Sequence, residues 1–247
     1  RILKDGWHMQ CVHFSLEELT GSAPEEKSVA SLNHLMTLDN ELGKMAKQQI
    51  EPNLIVVPVA EQAAKFTEKW AHTEYFIHLK RMFHKLGELI GNEYGATHLL
   101  TGENLGQVSS QTLGNMGAIE EMCSLIPLRP LLGFDKRHII DMARLLGTYR
   151  LSMAVEVCDA LGPNKPTTVA NKEWLESSEE RAGGMENVLE AQGEYFDTYS
   201  ALGDDSSQIT PTEAAIGNIA ALSAQLLVGT APTYTVQTAA FTPTGAT

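Results

Sequence analysis

The residues from Leu100 to Thr112 read Leu-Thr-Gly-Glu-Asn-Leu-Gly-Gln-Val-Ser-Ser-Gln-Thr, a row of amide, hydroxyl and carboxylate groups behind a glycine. Glu103, Asn104, Gln107 and Gln111 supply donors and acceptors enough to read a base or a ribose. Gly102 lets a backbone approach a ligand closely. The run His98-Leu99-Leu100 precedes this row, and apolar spacing resumes with Leu113, Met116 and Ile119. That order predicts a buried strand, a polar loop and a helix. In an open α/β sheet such a loop lies at the carboxyl end of its strand, where ligands bind. A helix cap with exposed polar side chains fits the same spacing equally well.

The elements that would position this loop can be followed along the chain. Arg1 to Gly6 reads as the last turn of a helix closed by glycine, and Trp7 to Phe14 as a strand. After a loop over Ser15 to Glu26, the spacing predicts a helix over Lys27 to Gln48. Asn53 to Val59 is an apolar run of the parallel-sheet kind, with Pro58 marking its end. Glu61 to Tyr94 forms one helix or two, stopped by Gly95, and Thr97 to Leu100 is the strand that delivers the polar loop. Gln111 to Ser124 follows as a helix, Leu125 to Leu132 as an edge or irregular strand with two prolines, and Asp135 to Leu146 as an amphipathic helix stopped by Gly147. Strands alternating with helices of this length imply right-handed βαβ units and a mostly parallel sheet. The fold class is α/β. Beyond Leu151 the pattern weakens into a loop that carries Cys158 and reaches Thr168. Trp174 to Tyr199 is expected to be helical apart from Gly183-Gly184 and Gly193, and Thr210 to Val228 to be an Ala-rich helix with a capped start. Thr230 to Thr247 is expected to be extended or disordered.

A chain of 247 residues can bury a core as one large domain or two small ones. Its formal charge is −13, and every Lys, Arg and His lies at or before Arg181. Affinity for phosphate backbones comes from clustered Lys and Arg, so the acidic balance weighs against direct nucleic-acid contact, above all after Arg181. No apolar run approaches bilayer length and the first residues are not a signal peptide, so no membrane association is expected. Cys11, Cys123 and Cys158 are three widely spaced cysteines, which fits a reducing compartment and a cytoplasmic location better than a disulfide scaffold or a zinc ribbon.

At Thr101 to Thr112 the sequence resembles the tRNA 4-thiouridine synthase family, tRNA uracil 4-sulfurtransferases that are also linked to thiamine biosynthesis. Val12-His13-Phe14 resembles the family's strand end that contacts adenine, Lys80-Arg81-Met82 its basic helix start, and Leu128 to Lys136 the segment before its next helix. The resemblance covers about residues 1 to 170, leaving 171–247 as a C-terminal extension of unknown role. It implies a Rossmann-like parallel sheet of the adenine-nucleotide hydrolase type, the PP-loop ATP pyrophosphatases. It also implies that ATP with Mg²⁺ adenylates the 4-carbonyl of a tRNA uridine. Sulfur would then come from a persulfide on a donor such as a cysteine desulfurase or rhodanese, and the resemblance leaves room for a homodimer. By motif position His13, Phe14, Arg81, Gly102 and Gln111 would bind the adenylate, with no metal ligand among the side chains. Arg81 has a further rationale, because a guanidinium pairs with phosphate through two points, although a solvated helix face accounts for it as well. Cys158 aligns with the family's loop cysteine, which forms a disulfide with the persulfide-bearing partner. Its polar loop leaves it accessible, whereas Cys11 and Cys123 sit in apolar patterns. Three cysteines so far apart argue against an iron–sulfur cluster.

The family's pyrophosphate loop, Ser-Gly-Gly-x-Asp-Ser, is expected just before Arg1 and is not in this sequence; Gly183-Gly184 lacks the Ser and Asp and follows no predicted strand. The family's RNA-binding region and rhodanese domain are missing too. The chain is therefore expected to be N-terminally truncated and incomplete as a catalyst, with tRNA held by a region outside it. Two other readings share these residues: an adenylating sulfur-transfer enzyme for a small molecule, and a non-catalytic scaffold built on a nucleotide-binding fold.

Overall fold

The structure is a computed structural model that describes residues 2–153, 161–185, 195–200, 215–216 and 233–237. Its strands are β1 (His8–Ser15), β2 (Ile50–Pro58), β3 (His98–Leu100), β4 (Ile126–Leu128), β5 (Tyr195–Ser200), β6 (Ala215–Ile216) and β7 (Thr233–Gln237). They form one sheet in the order β4-β3-β7-β1-β2-β5-β6. The pairs β1–β2, β1–β7, β3–β7 and β3–β4 are parallel, while β5 runs antiparallel to β2 and to β6. Because five strands share a direction, Ser15, Pro58, Leu100, Leu128 and Gln237 all end at one edge.

The described helices are α1 (Glu17–Thr20), α2 (Ala23–Thr37), α3 (Glu41–Gln49), α4 (Ala60–Lys65), α5 (Tyr75–Glu93), α6 (Leu113–Glu120), α7 (Lys136–Leu146) and α8 (Lys172–Arg181). The helix α5 leaves β2 and returns to the parallel strand β3, so its first turn lies at the carboxyl edge of the sheet. Tyr75, Ile77, Leu79, Met82, Leu86 and Ile90 form its buried side. Gly87 brings it close to the sheet: a Cβ there would meet Leu99 Cδ1 at 2.9 Å. Leu54, Ile55, Leu86 and Leu99 are each at most 2% exposed. Each contributes about 1.5–3 kcal/mol of apolar burial.

The βαβ pattern and the parallel sheet of an α/β fold are present, with β4 at the sheet edge and α7 between Asp135 and a left-handed Gly147. Several boundaries differ for local reasons. The helix expected over Lys27 to Gln48 is two, because Asn40 starts a new one by accepting a hydrogen bond from the Gly43 amide at 3.1 Å. The loop expected over Ser15 to Glu26 already holds α1 and the first turn of α2, which has Pro24 at its start. The helix expected over Trp174 to Tyr199 stops at Arg181, and Tyr195–Ser200 pairs with β2 as a strand. Of the helix expected over Thr210 to Val228, only Ala215–Ile216 is described, and it is strand; the remainder lies outside the described residues.

Within the stretch expected to be extended or disordered, Thr233–Gln237 is the strand β7. Its sequence Thr-Tyr-Thr-Val-Gln lacks the apolar run of a central parallel strand, yet it lies between β1 and β3, with Gln10 and Leu99 both opposite Thr235. No described helix is long and apolar enough to cross a membrane. Thr235→Pro removes a donor from the middle of the sheet and is expected to cost about 3 kcal/mol or more, read as a lower urea midpoint in equilibrium unfolding. An unchanged midpoint would show that this strand does not hold the centre of the sheet.

Candidate functional site

The carboxyl edge is organised by a buried carboxylate. Glu103 accepts a hydrogen bond from Lys80 Nζ on α5 at 2.6 Å through one oxygen. Its other oxygen accepts from Arg129 Nε, just past β4, at 2.6 Å and from Thr101 Oγ1 at 3.3 Å. Arg129 Nη1 also donates to Glu120, while its Nη2 is buried without a partner among the described residues. Burial pushes the Glu103 carboxyl up, but Lys80 and Arg129 outweigh it and bring its pKa down to about 2. His84, in the same cluster, is lowered to about 4, chiefly by burial, and is neutral at pH 7.

The polar row after β3 divides into internal clamps and open groups. Asn104 is 5% exposed and donates to Phe134 O and, at 2.8 Å, to Leu131 O. Glu103 and Asn104 therefore hold the loop to its neighbours and do not read a ligand, as their chemistry alone had suggested. Gln107 is exposed, and the Gln111 side-chain oxygen is buried with no partner among the described residues. Gly102 has open space where a side chain would point. The loop then ends in a cap, because Thr112 Oγ1 accepts from the Asn115 amide at 3.3 Å. The helix-cap reading is realised at Thr112, while Gly102 and Gln107 stay exposed.

A strap over 161–170 lies across this loop. The fully buried Asn115 donates to Ser109 O at 2.7 Å and to Thr167 O at 2.9 Å, and accepts from the Ala170 amide at 2.7 Å. Thr112 Oγ1 donates to Thr168 O, and Thr167 reaches back to Thr73 O and the Glu74 carboxylate. Beneath the strap a cavity of about 430 Å³ is lined by Phe76, Lys80, Val108, Pro163 and Pro166, with Ser109 and Ser110 on one wall.

The site residues singled out in the sequence fall into distinct settings. Phe14 stacks on Phe83 of α5 with ring centres 4.5 Å apart. His13 lies 3.2 Å from Ser28 Oγ, and burial lowers its pKa to about 4, so the ring is neutral. Arg81 is 3% exposed: Nε and Nη2 donate to both oxygens of Glu179 on α8, and Nη1 to Ala118 O. The cation that faces the loop is its neighbour Lys80. Burial raises the Cys11 thiol to about 12 and also raises Cys123, so neither is a ready nucleophile. Cys158 lies outside the described residues. Sequence reasoning gives no role to Lys80 and Arg129, although both lie in the motif segments quoted above, nor to Asn115. Only the i, i+1 pairing Lys80-Arg81 hinted that one of two cations turns inward.

Glu103→Gln leaves Lys80 and Arg129 facing a neutral amide and is expected to cost about 3 kcal/mol at pH 7. The folded pKa near 2 lies below the ordinary 4.5. The stability that the carboxylate provides is therefore present above pH 4.5 and lost as pH falls through 2. The gap between the two proteins should narrow over that window in urea titrations; a gap independent of pH would rule out the ionised clamp.

The comparisons with known proteins now fall on a described site. Residues 1–183 match the family model described as "Thiamine biosynthesis protein (ThiI)". A probable tRNA sulfurtransferase of Acetivibrio thermocellus is 32% identical over 190 residues, 76% of this chain and 46% of the relative. A tRNA sulfurtransferase of Aliivibrio fischeri is 37% identical over 169 residues, 68% of this chain and 33% of the relative. The chain thus spans less than half the length of these curated relatives. Among solved structures, a 4-thiouridine synthetase–RNA complex with bound ATP superposes with a TM-score of 0.65 at 25% identity, covering 86% of this chain and 50% of the other. The fold is that of the PP-loop ATP pyrophosphatases, and the chain belongs to the ThiI family of thiamine biosynthesis proteins.

Proposed function

We propose that this chain supplies the adenylate-binding part of a tRNA sulfurtransferase, which activates the 4-oxygen of a uridine with ATP and replaces it with sulfur. The observation that carries the reading is the carboxyl edge itself. His13 and Phe14 lie just before the end of β1 there, Gly102 leaves open space, and Gln111 holds an oxygen without a partner among the described residues, able to accept from an amino or hydroxyl group. The neutral His13 ring and the Phe14 ring suit an uncharged base, and Lys80 suits a phosphate. In this reading Lys80 takes the anion-facing part first assigned to Arg81, whose guanidinium anchors α8 through Glu179. Among the described residues no group of three or more His, Cys, Asp or Glu could hold a metal ion. In this proposal Mg²⁺ is carried on the nucleotide's phosphates.

The chemistry balances as two displacements. The uracil 4-oxygen attacks the α-phosphorus and pyrophosphate leaves. The terminal sulfur of a persulfide then bonds to carbon 4, and AMP leaves with the original oxygen. A thiolate from Cys158 attacks the inner sulfur of that donor, forming a disulfide with it and releasing the 4-thiolated base. Pro163, in the strap, follows Cys158 by five residues, so covalent geometry keeps their Cα atoms within about 18 Å. The persulfide donor is a separate protein or domain of the desulfurase or rhodanese kind, and thiols that must stay reduced place the reaction in the cytoplasm.

Calorimetric titration of the chain with ATP and Mg²⁺ should give saturable binding that Lys80→Ala weakens about tenfold, a loss of 1.4 kcal/mol. No saturable binding would favour a scaffold. Native-state labelling with a disulfide reagent should modify one cysteine quickly and two slowly, and Cys158→Ser should remove the fast phase. A fast phase that survives would take Cys158 out of the transfer step.

A further inference from the structure

The cavity beneath the strap is lined by neither His13 nor Phe14, and it shares only Lys80 with the proposed adenylate site. Its walls come from three separate elements whose mutual positions are fixed by hydrogen bonds. Asn115 ties Ser109 O to Thr167 O and the Ala170 amide. Thr167 is tied to Thr73 and Glu74 at the start of α5, and Leu161 O lies 3.0 Å from His72 Nε2. Gly162 lies so close to the Phe76 ring that a Cβ there would clash with Cζ. The ring is therefore held from one side by the backbone of the strap.

We infer that this cavity receives the uracil base to be modified, turned out of its RNA strand. The inference rests on the function proposed above and names the position of its second substrate. Phe76, Pro163, Pro166 and Val108 provide apolar and aromatic surface for a planar ring, and bases extruded for chemistry are held by such stacking. Ser109 and Ser110 bring hydroxyls that both donate and accept, which suits a ring edge carrying two carbonyls and one N–H. Lys80, one helical turn beyond Phe76, lines the same space, with its ammonium held in place by Glu103. The volume of about 430 Å³ suits one nucleoside.

The cavity also stands in a suitable relation to the first substrate. Phe83 stacks on Phe14, and Phe76 lies seven residues earlier on the same helix, about 10 Å along its axis. Lys80 lies between them. Two rings so placed are neighbouring reactants with phosphate chemistry between them, not rivals for one slot.

The test uses 4-thiouridine 5′-monophosphate, whose thiocarbonyl crosslinks to adjacent side chains under near-ultraviolet light. Peptide mapping should find the crosslink within residues 73–80 or 161–170. Phe76→Ala should reduce its yield at least tenfold, and so should Val108→Trp, which blocks the cavity from an exposed position and is expected to fold even if Phe76→Ala does not. ATP binding should be unchanged in Val108→Trp. ATP that binds normally while no crosslink forms at these peptides would overturn the base pocket and leave the nucleotide site standing. A crosslink abolished by ATP would assign the cavity to the nucleotide and overturn the inference. A crosslink that persists in a chain unable to bind ATP would support the pocket and remove the proposed adenylate site.

Discussion

Everything at the carboxyl edge depends on the charge that Glu103 keeps in a buried place. A carboxylate taken out of water is costly unless cations and donors meet it, and Lys80, Arg129 and Thr101 do so from three different elements. That requirement fixes the first turns of α5, the loop after β3 and the segment after β4 against one another. Loops are where function resides, but a loop bonded only to water would not hold a ligand to a given geometry. Here the loop is tied at Glu103 and Asn104, and again at Asn115, with its open groups between those ties.

The same physics recurs along α5. Lys80 meets Glu103, Arg81 meets Glu179 on α8, and Lys85 meets Glu88, which in turn accepts from Ser124 after α6. Burial raises Glu179, and hydrogen bonds from His78 and Arg81 outweigh it, leaving the group ionised. The helix is thus a spine: Lys80 and Arg81 hold neighbouring segments, and Lys85 holds Glu88 of the same helix, which reaches Ser124. This accounts for basic residues that stop at Arg181 in a chain of net charge −13: several are internal struts and not a surface for phosphate backbones.

The parts legible in the sequence were those fixed by local rules. The apolar run of β2, the glycine stop at Gly147 and the strand-to-loop transition at Leu100 follow from burial and from backbone freedom, and they stand where they were expected. Lys80 and Arg81 show the limit. They are adjacent on one helix, about 100° apart, and which one faces the loop is decided by where Glu103 and Glu179 come to lie in space. Likewise, no spacing rule marks Asn115 as the residue that binds the strap, because its partners are some fifty residues downstream. Tyr195–Ser200 looked helical because nothing in its own sequence announces the free edge of β2 that it covers.

The strand β7 has a consequence for how the chain reaches this state. Val12 pairs with Gln237, so the middle of the sheet joins segments far apart along the chain. Until residues 233–237 have left the ribosome, β1 and β3 have no neighbour on their facing edges, and both expose unpaired backbone groups beside apolar side chains. Closure of so long a loop delays the contacts that would repay its entropy, which makes slow folding and sensitivity to aggregation during synthesis the expected behaviour. The two rows of residues that later flank the site would be the chain's most adhesive surface while it is being made.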